Sequence, residues 1–234
     1  MGVKMSTNQI AIDGPAGAGK STIARMVADR LGFIYIDTGA MYRTAALYLL
    51  REGVDPSDEE ASAAAVSLAD IQLVNENGNQ KVLLNGEDVT GKIRTQEVGD
   101  AASLASRYGA VRRKLTALQR EIAAKGNVVM DGRDIGTTVL PDAQLKIYLT
   151  ADASVRAKRR YDQLAERGET GLSLSEIEEE IRARDRQDME RKNSPLKRAE
   201  DAVLVDSSNL TIGEVRDRIL DAYRRSAGGD RRDS

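Results

Sequence analysis

Gly14, Pro15, Ala16, Gly17, Ala18, Gly19, Lys20, Ser21 and Thr22 follow directly on the apolar run Gln9–Asp13. Their spacing fits Gly-x-x-x-x-Gly-Lys-Ser/Thr. Glycines let such a loop curl until successive N–H groups point inward at an anion. Lys20 can then reach the β- and γ-phosphates of a nucleotide, and the Ser21 hydroxyl can ligate Mg²⁺. The alternative is a chance Gly-rich turn. A strand before the loop, and a helix after it with Ile23, Met26, Val27 and Leu31 on one face, count against that. Residues 14–22 are expected to bind a nucleoside triphosphate, with Ser21 as the metal ligand.

Other charged side chains must say what receives the phosphate. Asp37-Thr38-Gly39-Ala40-Met41-Tyr42-Arg43 follows a second apolar run, and Asp131-Gly132-Arg133-Asp134-Ile135-Gly136-Thr137 follows a third. Arg184, Asp188 and Arg191 have the spacing of one helix face, and so do Arg156, Arg159 and Arg160 on the preceding helix. Any single helix of this kind, taken alone, reads better as a solvated salt-bridge face. Four arginine-bearing elements suit a site that holds two facing phosphate groups, because guanidinium binds phosphate bidentately and stays charged.

The composition narrows the chemistry. Histidine and cysteine are both absent from the 234 residues. That removes the commonest general base, disulfides, thiolate metal sites and cysteine nucleophiles. Phosphoryl transfer tolerates this, because it depends on positioning and charge neutralisation. The net charge of −2 argues against a nucleic-acid partner. No apolar run long enough for a membrane span or signal peptide is found, and a cytoplasmic location is expected. Met1–Ser6 matches a myristoylation template without a second anchor signal. Asn209-Leu210-Thr211 matches a glycosylation acceptor, but Thr211 with Glu214 reads better as a capping box.

Five β-like runs, 9–13, 33–37, 127–131, 144–150 and 202–206, alternate with helical patterns near 20–31, 40–52, 57–69, 95–106, 109–125, 153–167, 174–192 and 211–226. Such alternation predicts an α/β fold, a five-stranded parallel sheet with helices on both faces. Several runs end in aspartate, where a parallel sheet keeps its ligand-facing edge. Asp70–Val74 and Gln80–Leu84 flank a turn and break the alternation as a β-hairpin. Residues 38–108 therefore read as an inserted subdomain within a single phosphate-loop domain spanning 1–234. Residues 227–234 read as a disordered tail.

Taken together, Asp13–Thr22, Asp37–Arg43, Ile93–Val98, Asp131–Thr137 and Arg184–Asp188 through Ser194-Pro195-Leu196 resemble the bacterial cytidylate kinases over nearly the whole chain. The first motif is shared by very many ATP and GTP binders, whereas the second, third and fourth together are specific. The resemblance implies a P-loop nucleoside monophosphate kinase fold with a monophosphate-binding insert and a short helical lid, here near 156–170. It implies Mg²⁺-dependent transfer from ATP to CMP, and to dCMP, by a monomer. It places Ser103, Arg112 and Asp134 on the cytosine base, with Thr38 standing where many relatives have serine. It places Arg43, Arg133 and Arg191 on the acceptor phosphate, and Arg184 and Asp188 on the ribose. Arg156 and Arg160 become lid candidates for the transferring phosphoryl group, beside Lys20.

Cytosine offers acceptors at O2 and N3 and a donor at its amine, which an arginine and a carboxylate complement. Uracil reverses two of these polarities, so a buried site of this kind should reject UMP. A kinase for UMP, AMP or shikimate is the nearest rival, and a nucleotide switch is the rival of another class. The Asn-Lys-x-Asp motif of guanine-reading switches is absent.

Overall fold

The computed structural model describes residues 7–76, 79–166, 168 and 171–229. The Met1–Ser6 pattern, three positions of the expected lid (167, 169 and 170) and residues 230–234 lie outside the described residues. The chain runs β1 (Gln9–Asp13), α1 (Lys20–Leu31), β2 (Ile34–Asp37), α2 (Thr38–Arg51), α3 (Glu59–Leu68), β3 (Ile71–Glu76), β4 (Asn79–Leu84), β5 (Glu87–Asp88), α4 (Gln96–Ala105) and α5 (Gly109–Ala123). It continues with β6 (Val128–Gly132), β7 (Leu145–Thr150), α6 (Ala153–Glu166), α7 (Leu174–Glu190), β8 (Val203–Asp206) and α8 (Ile212–Gly229). One sheet has the order β2-β6-β1-β7-β8, and β3-β4-β5 form a second. β7 runs parallel to both β1 and β8, with Ile147 opposite Ile12 on one side and Val203 on the other. β1 and β6 are buried along nearly their whole length, which is why they read as continuous apolar runs rather than alternating ones.

The chain divides into two compact units, one chiefly Gly32–Val128, the other Asn8–Leu31 with Val129 and the residues after it. The first is wider than the expected 38–108 insert, because α5 packs on α2 and α3 and belongs to it. Its core gathers Met41, Leu49, Val66, Ile71, Val82, Ile93 and Leu115. The hairpin pairs antiparallel from Ile71 opposite Leu84 to Glu76 opposite Asn79. Lys114 on α5 closes the far end of α3, donating from Nζ to the carbonyls of Val66 (2.6 Å), Ser67 (2.8 Å) and Ala69 (2.6 Å). In the second unit, Ile10, Ile12, Ile147 and Leu149 form the buried centre. There α1 packs on α8, and α6 on α7 through Ala157, Ile177 and Ile181.

Helix starts follow from local chemistry. Asp37 caps α2, its carboxylate accepting from Ala40 N–H at 2.8 Å, so the helix begins two residues before the expected 40. Asp58 and Thr95 cap α3 and α4 in the same way. Ser173 and Glu176 form a full capping box on α7, and Thr211 and Glu214 exchange the equivalent bonds ahead of α8. α8 runs to Gly229, so positions 227–229, expected in the tail, are helical.

Candidate active site

In the second unit, β1 hands the chain to the loop of Gly14–Gly19. A Cβ at Gly14 would sit 1.9 Å from the Leu149 carbonyl oxygen, so only glycine lets the loop leave β1 beside β7. Gly19 enters α1 at φ +85°, a left-handed conformation that costs glycine nothing. Lys20 is buried, with Nζ donating to the Pro15 carbonyl at 2.7 Å. Burial first, and then the Arg133 guanidinium, push its pKa down to about 7 against the pull of Asp131 and Asp188. A phosphate placed beside it would restore its charge, which is the expected behaviour of a cation awaiting an anion.

Ser21 Oγ donates to Asp131 Oδ2 at 3.0 Å, so a hydroxyl and the carboxylate at the end of β6 face one another. Hard oxygen donors of this kind suit Mg²⁺, which keeps several waters and takes few protein ligands beside substrate phosphates. Among the described residues no group of three or more His, Cys, Asp or Glu could hold a metal by itself. The donor set therefore fits a nucleotide-borne Mg²⁺ rather than a caged metal.

Beyond β6 the chain makes a π-helical turn at Ile135–Val139, where the charged residues interlock. Arg133 donates from Nε to Asp188 Oδ2 at 2.8 Å. The Arg191 guanidinium lies 3.4 Å from Asp134 Oδ1 and 3.7 Å from Asp188 Oδ1, and its Nε donates to the Ser194 carbonyl at 2.7 Å. Burial acts to raise the pKa of Asp188, but Arg133, with Arg191 and Arg184, overcomes it and holds the carboxyl below its ordinary range. α7 ends at Glu190 and Arg191 is extended (φ −60°, ψ 140°). It joins the cluster from the turn after the helix, not from the helix face that its spacing suggested. Arg184, on the helix proper, is exposed.

Arg156, Arg159 and Arg160 share one face of α6, but their guanidiniums do not meet on one partner. Arg156 is buried, giving Nε to Ala151 O at 2.8 Å, Nη1 to Ala16 O at 3.0 Å and Nη2 to Asp185 Oδ2 at 2.7 Å. It thus braces the phosphate loop from beneath. Arg159 turns to Ser207, with Nη2 2.7 Å from its carbonyl, and Arg160 is exposed.

In the first unit, Thr38 is buried at the start of α2. Beside it, Arg43 and Arg94 both reach Asp37 Oδ2, at 3.3 and 3.2 Å. Gln80 of the hairpin donates to Tyr35 O and accepts from Asp37 N–H, each at 3.1 Å, closing the outer edge of β2 as a neighbouring strand would. Arg112 is buried with its guanidinium 5.4 Å from the Tyr42 ring centroid, and its Nη1 donates to Ser106 O at 3.1 Å. Ser103, half-buried on α4, precedes that carbonyl by one turn.

Sequence reasoning assigned no role to Arg94, Gln80 or Asp185. Arg94 and Asp185 lie within the motifs Ile93–Val98 and Arg184–Asp188, and Arg94 could have been paired with Asp37 by charge alone, whereas Gln80 carries no signal in the sequence.

A parallel sheet with the loop Gly14–Thr22 leaving its central strand, and a carboxylate set opposite Ser21, defines a P-loop kinase of the α/β class. Among solved structures, a gluconokinase from Sinorhizobium meliloti 1021 matches 95% of this chain with a TM-score of 0.52 at 14% identity, a likeness of fold alone. The family model for cytidylate kinase matches residues 10–225. A cytidylate kinase of Bacillus subtilis (strain 168) is 48% identical over 218 residues, 93% of this chain and 97% of the relative. One from Lactobacillus gasseri is 51% identical over 207 residues, covering 88% and 90%. The chain belongs to the cytidylate kinase family.

Proposed function

We propose that this protein transfers the γ-phosphoryl group of ATP to CMP and dCMP, giving ADP with CDP or dCDP. The carrying observation is the charged network Arg133–Asp188–Arg191–Asp134, set one strand from a phosphate loop whose buried Lys20 has its charge disfavoured by burial and by Arg133. Gly14–Thr22 hold the triphosphate through loop N–H groups and Lys20. Mg²⁺ would be held by Ser21, with Asp131 accepting from that hydroxyl or from the ion's waters, and it would supply neutralisation of the triphosphate's charge.

Arg43, Arg133 and Arg191 hold the CMP phosphate, Arg184 and Asp188 the ribose, and Ser103, Arg112 and Asp134 the base, with Thr38 a further CMP-binding residue. The attacking oxygen of CMP is already anionic, so no general base is required, in keeping with a chain that has no histidine. Residues 156–170 act as the lid. Arg160 is its exposed arginine among the described residues, and Arg156 reaches the transferring group only by exchanging its bonds to Ala16 and Asp185 for phosphate oxygens. The enzyme works as a cytoplasmic monomer without nucleic acid.

ADP release with Mg-ATP and CMP, dCMP, UMP, AMP or no acceptor tests the reading. Strong turnover with CMP and dCMP, weak turnover with UMP and none with AMP is expected. In Asp134→Ala, CMP use should fall far more than ATP binding, and an unchanged CMP KM would remove Asp134 from the base site.

A further inference from the structure

Asp13 ends β1 and immediately precedes the phosphate loop, yet its carboxylate does not face the loop. Oδ1 accepts from the Ile135 N–H and Oδ2 from the Gly136 N–H, both at 2.7 Å. The side chain is buried, and burial raises its pKa to about 6 in spite of those two bonds. A carboxylate kept in so costly a place has its use in what it holds, since without it two buried N–H groups would lose their acceptors. It holds the two peptide groups directly after Asp134, at the point where the chain enters the π-helical turn. Gly136 admits this grip. A Cβ there would lie 3.4 Å from Asp13 Oδ2 and 3.1 Å from the Lys146 side chain, so the turn is clasped between carboxylate and lysine stem.

We infer that Asp13 is a specificity-determining positioning residue, whose bidentate grip on the Ile135 and Gly136 amides fixes where Asp134 presents its carboxylate to the acceptor base. The inference rests on the proposed reading of Asp134 as a base contact. Two adjacent N–H groups on two oxygens of one carboxylate leave the turn neither translation nor rotation. Discrimination between cytosine and uracil needs that rigidity, because a carboxylate free to withdraw would tolerate the uracil carbonyl. The phosphate loop does not depend on the same grip. It is held by Arg156 at Ala16 and by Lys20 at Pro15.

The test uses the full chain with D13N, D13A, G136A and D134A. KM for CMP and the CMP-to-UMP ratio of kcat/KM are measured at saturating Mg-ATP. The Kd for ATP without acceptor is measured by calorimetry, and folding is checked by thermal melting. Asparagine keeps one acceptor and turns an N–H toward the other amide. D13N should therefore raise the CMP KM and lower the CMP-to-UMP ratio by about tenfold, and D13A by more, with the ATP Kd within about twofold. G136A, which displaces the turn from its other side, should move CMP KM in the same direction and carries the test should the Asp13 variants not fold. The positioning role is overturned if ATP Kd and CMP KM rise together, or if the ratio is unchanged in folded D13N or G136A while D134A alters it. Loss of D134A's own effect overturns the base reading and the positioning role with it, and is recognisable because it appears in D134A.

Discussion

Replacing Asp37 by asparagine and by alanine separates two things its carboxylate does. One oxygen caps α2 through Ala40 N–H at 2.8 Å, and the other is shared by Arg43 and Arg94 at 3.3 and 3.2 Å. Asparagine caps about as well as aspartate, so Asp37→Asn keeps the cap and loses the charge. Arg43 and Arg94 have side chains 22% and 53% exposed, and pairs this wet contribute about 0.5 kcal/mol each. Alanine also removes the cap, worth about 1 kcal/mol. Urea unfolding should then show Asp37→Asn down by about 1 kcal/mol and Asp37→Ala by about 2 kcal/mol. The same variants report on function, because Arg43 is oriented by this carboxylate and Thr38 sits in the first turn of the capped helix. CMP KM should rise a few-fold in the asparagine variant and further in alanine, with ATP Kd unchanged. Equal stability losses in the two variants would refute the cap, and an unmoved CMP KM in both would detach α2's first turn from the acceptor.

Lys20→Ala should cost about 3 kcal/mol of transition-state stabilisation, the scale of one electrostatic contact, and near-normal turnover would sink the assignment. Its melting temperature should not fall, since burial already disfavours the lysine's charge in the folded chain. Lys114→Met removes the donor that closes three carbonyls at the end of α3, and should lower stability by about 2 kcal/mol in urea titration. The pH dependence of Asp13 has a definite sign. Its folded pKa, about 6, lies above the ordinary 3.8, so between those values the folded chain keeps a proton that the unfolded chain has lost. Stability from this group therefore falls as pH rises from about 4 to 6, by up to about 3 kcal/mol, and is level above that. The difference between wild-type and Asp13→Asn melting curves across that window should show this slope, and a flat difference would contradict it.

The phosphate loop was legible because its glycines answer a local backbone demand, as Gly14 under the Leu149 carbonyl shows. Strands were legible for a related reason, since burial leaves β1 and β6 with apolar runs, Ile10–Ile12 and Val128–Met130, ahead of a closing aspartate. Helix starts at Asp58 and Thr95 announce themselves through the capping side chain. What stayed hidden was tertiary. Helical spacing grouped Arg156, Arg159 and Arg160, but their directions are set by partners on other elements, Ala16 and Asp185 for the first and Ser207 for the second. Asp13 reaches across 122 positions to Ile135, a link that no local pattern encodes. Gln80 resembles any polar hairpin residue until the edge of β2 is seen beside it.

The network around the turn after β6 explains how a kinase can be built without a histidine. Arg133, Asp188, Arg191 and Asp134 alternate in sign, and each carboxylate meets a guanidinium. Such a set is neutral as a whole and can be buried, whereas removing one member leaves an uncompensated charge in a desolvated place. Its arginines are therefore fixed in direction by neighbours before any phosphate is present, so little ordering remains to be done when one arrives. Phosphoryl transfer asks the protein for positioned positive charge rather than for a proton acceptor. Fixed guanidiniums and a lysine whose charge is disfavoured until an anion approaches supply that requirement, and the proton chemistry that histidine would bring has no step to serve.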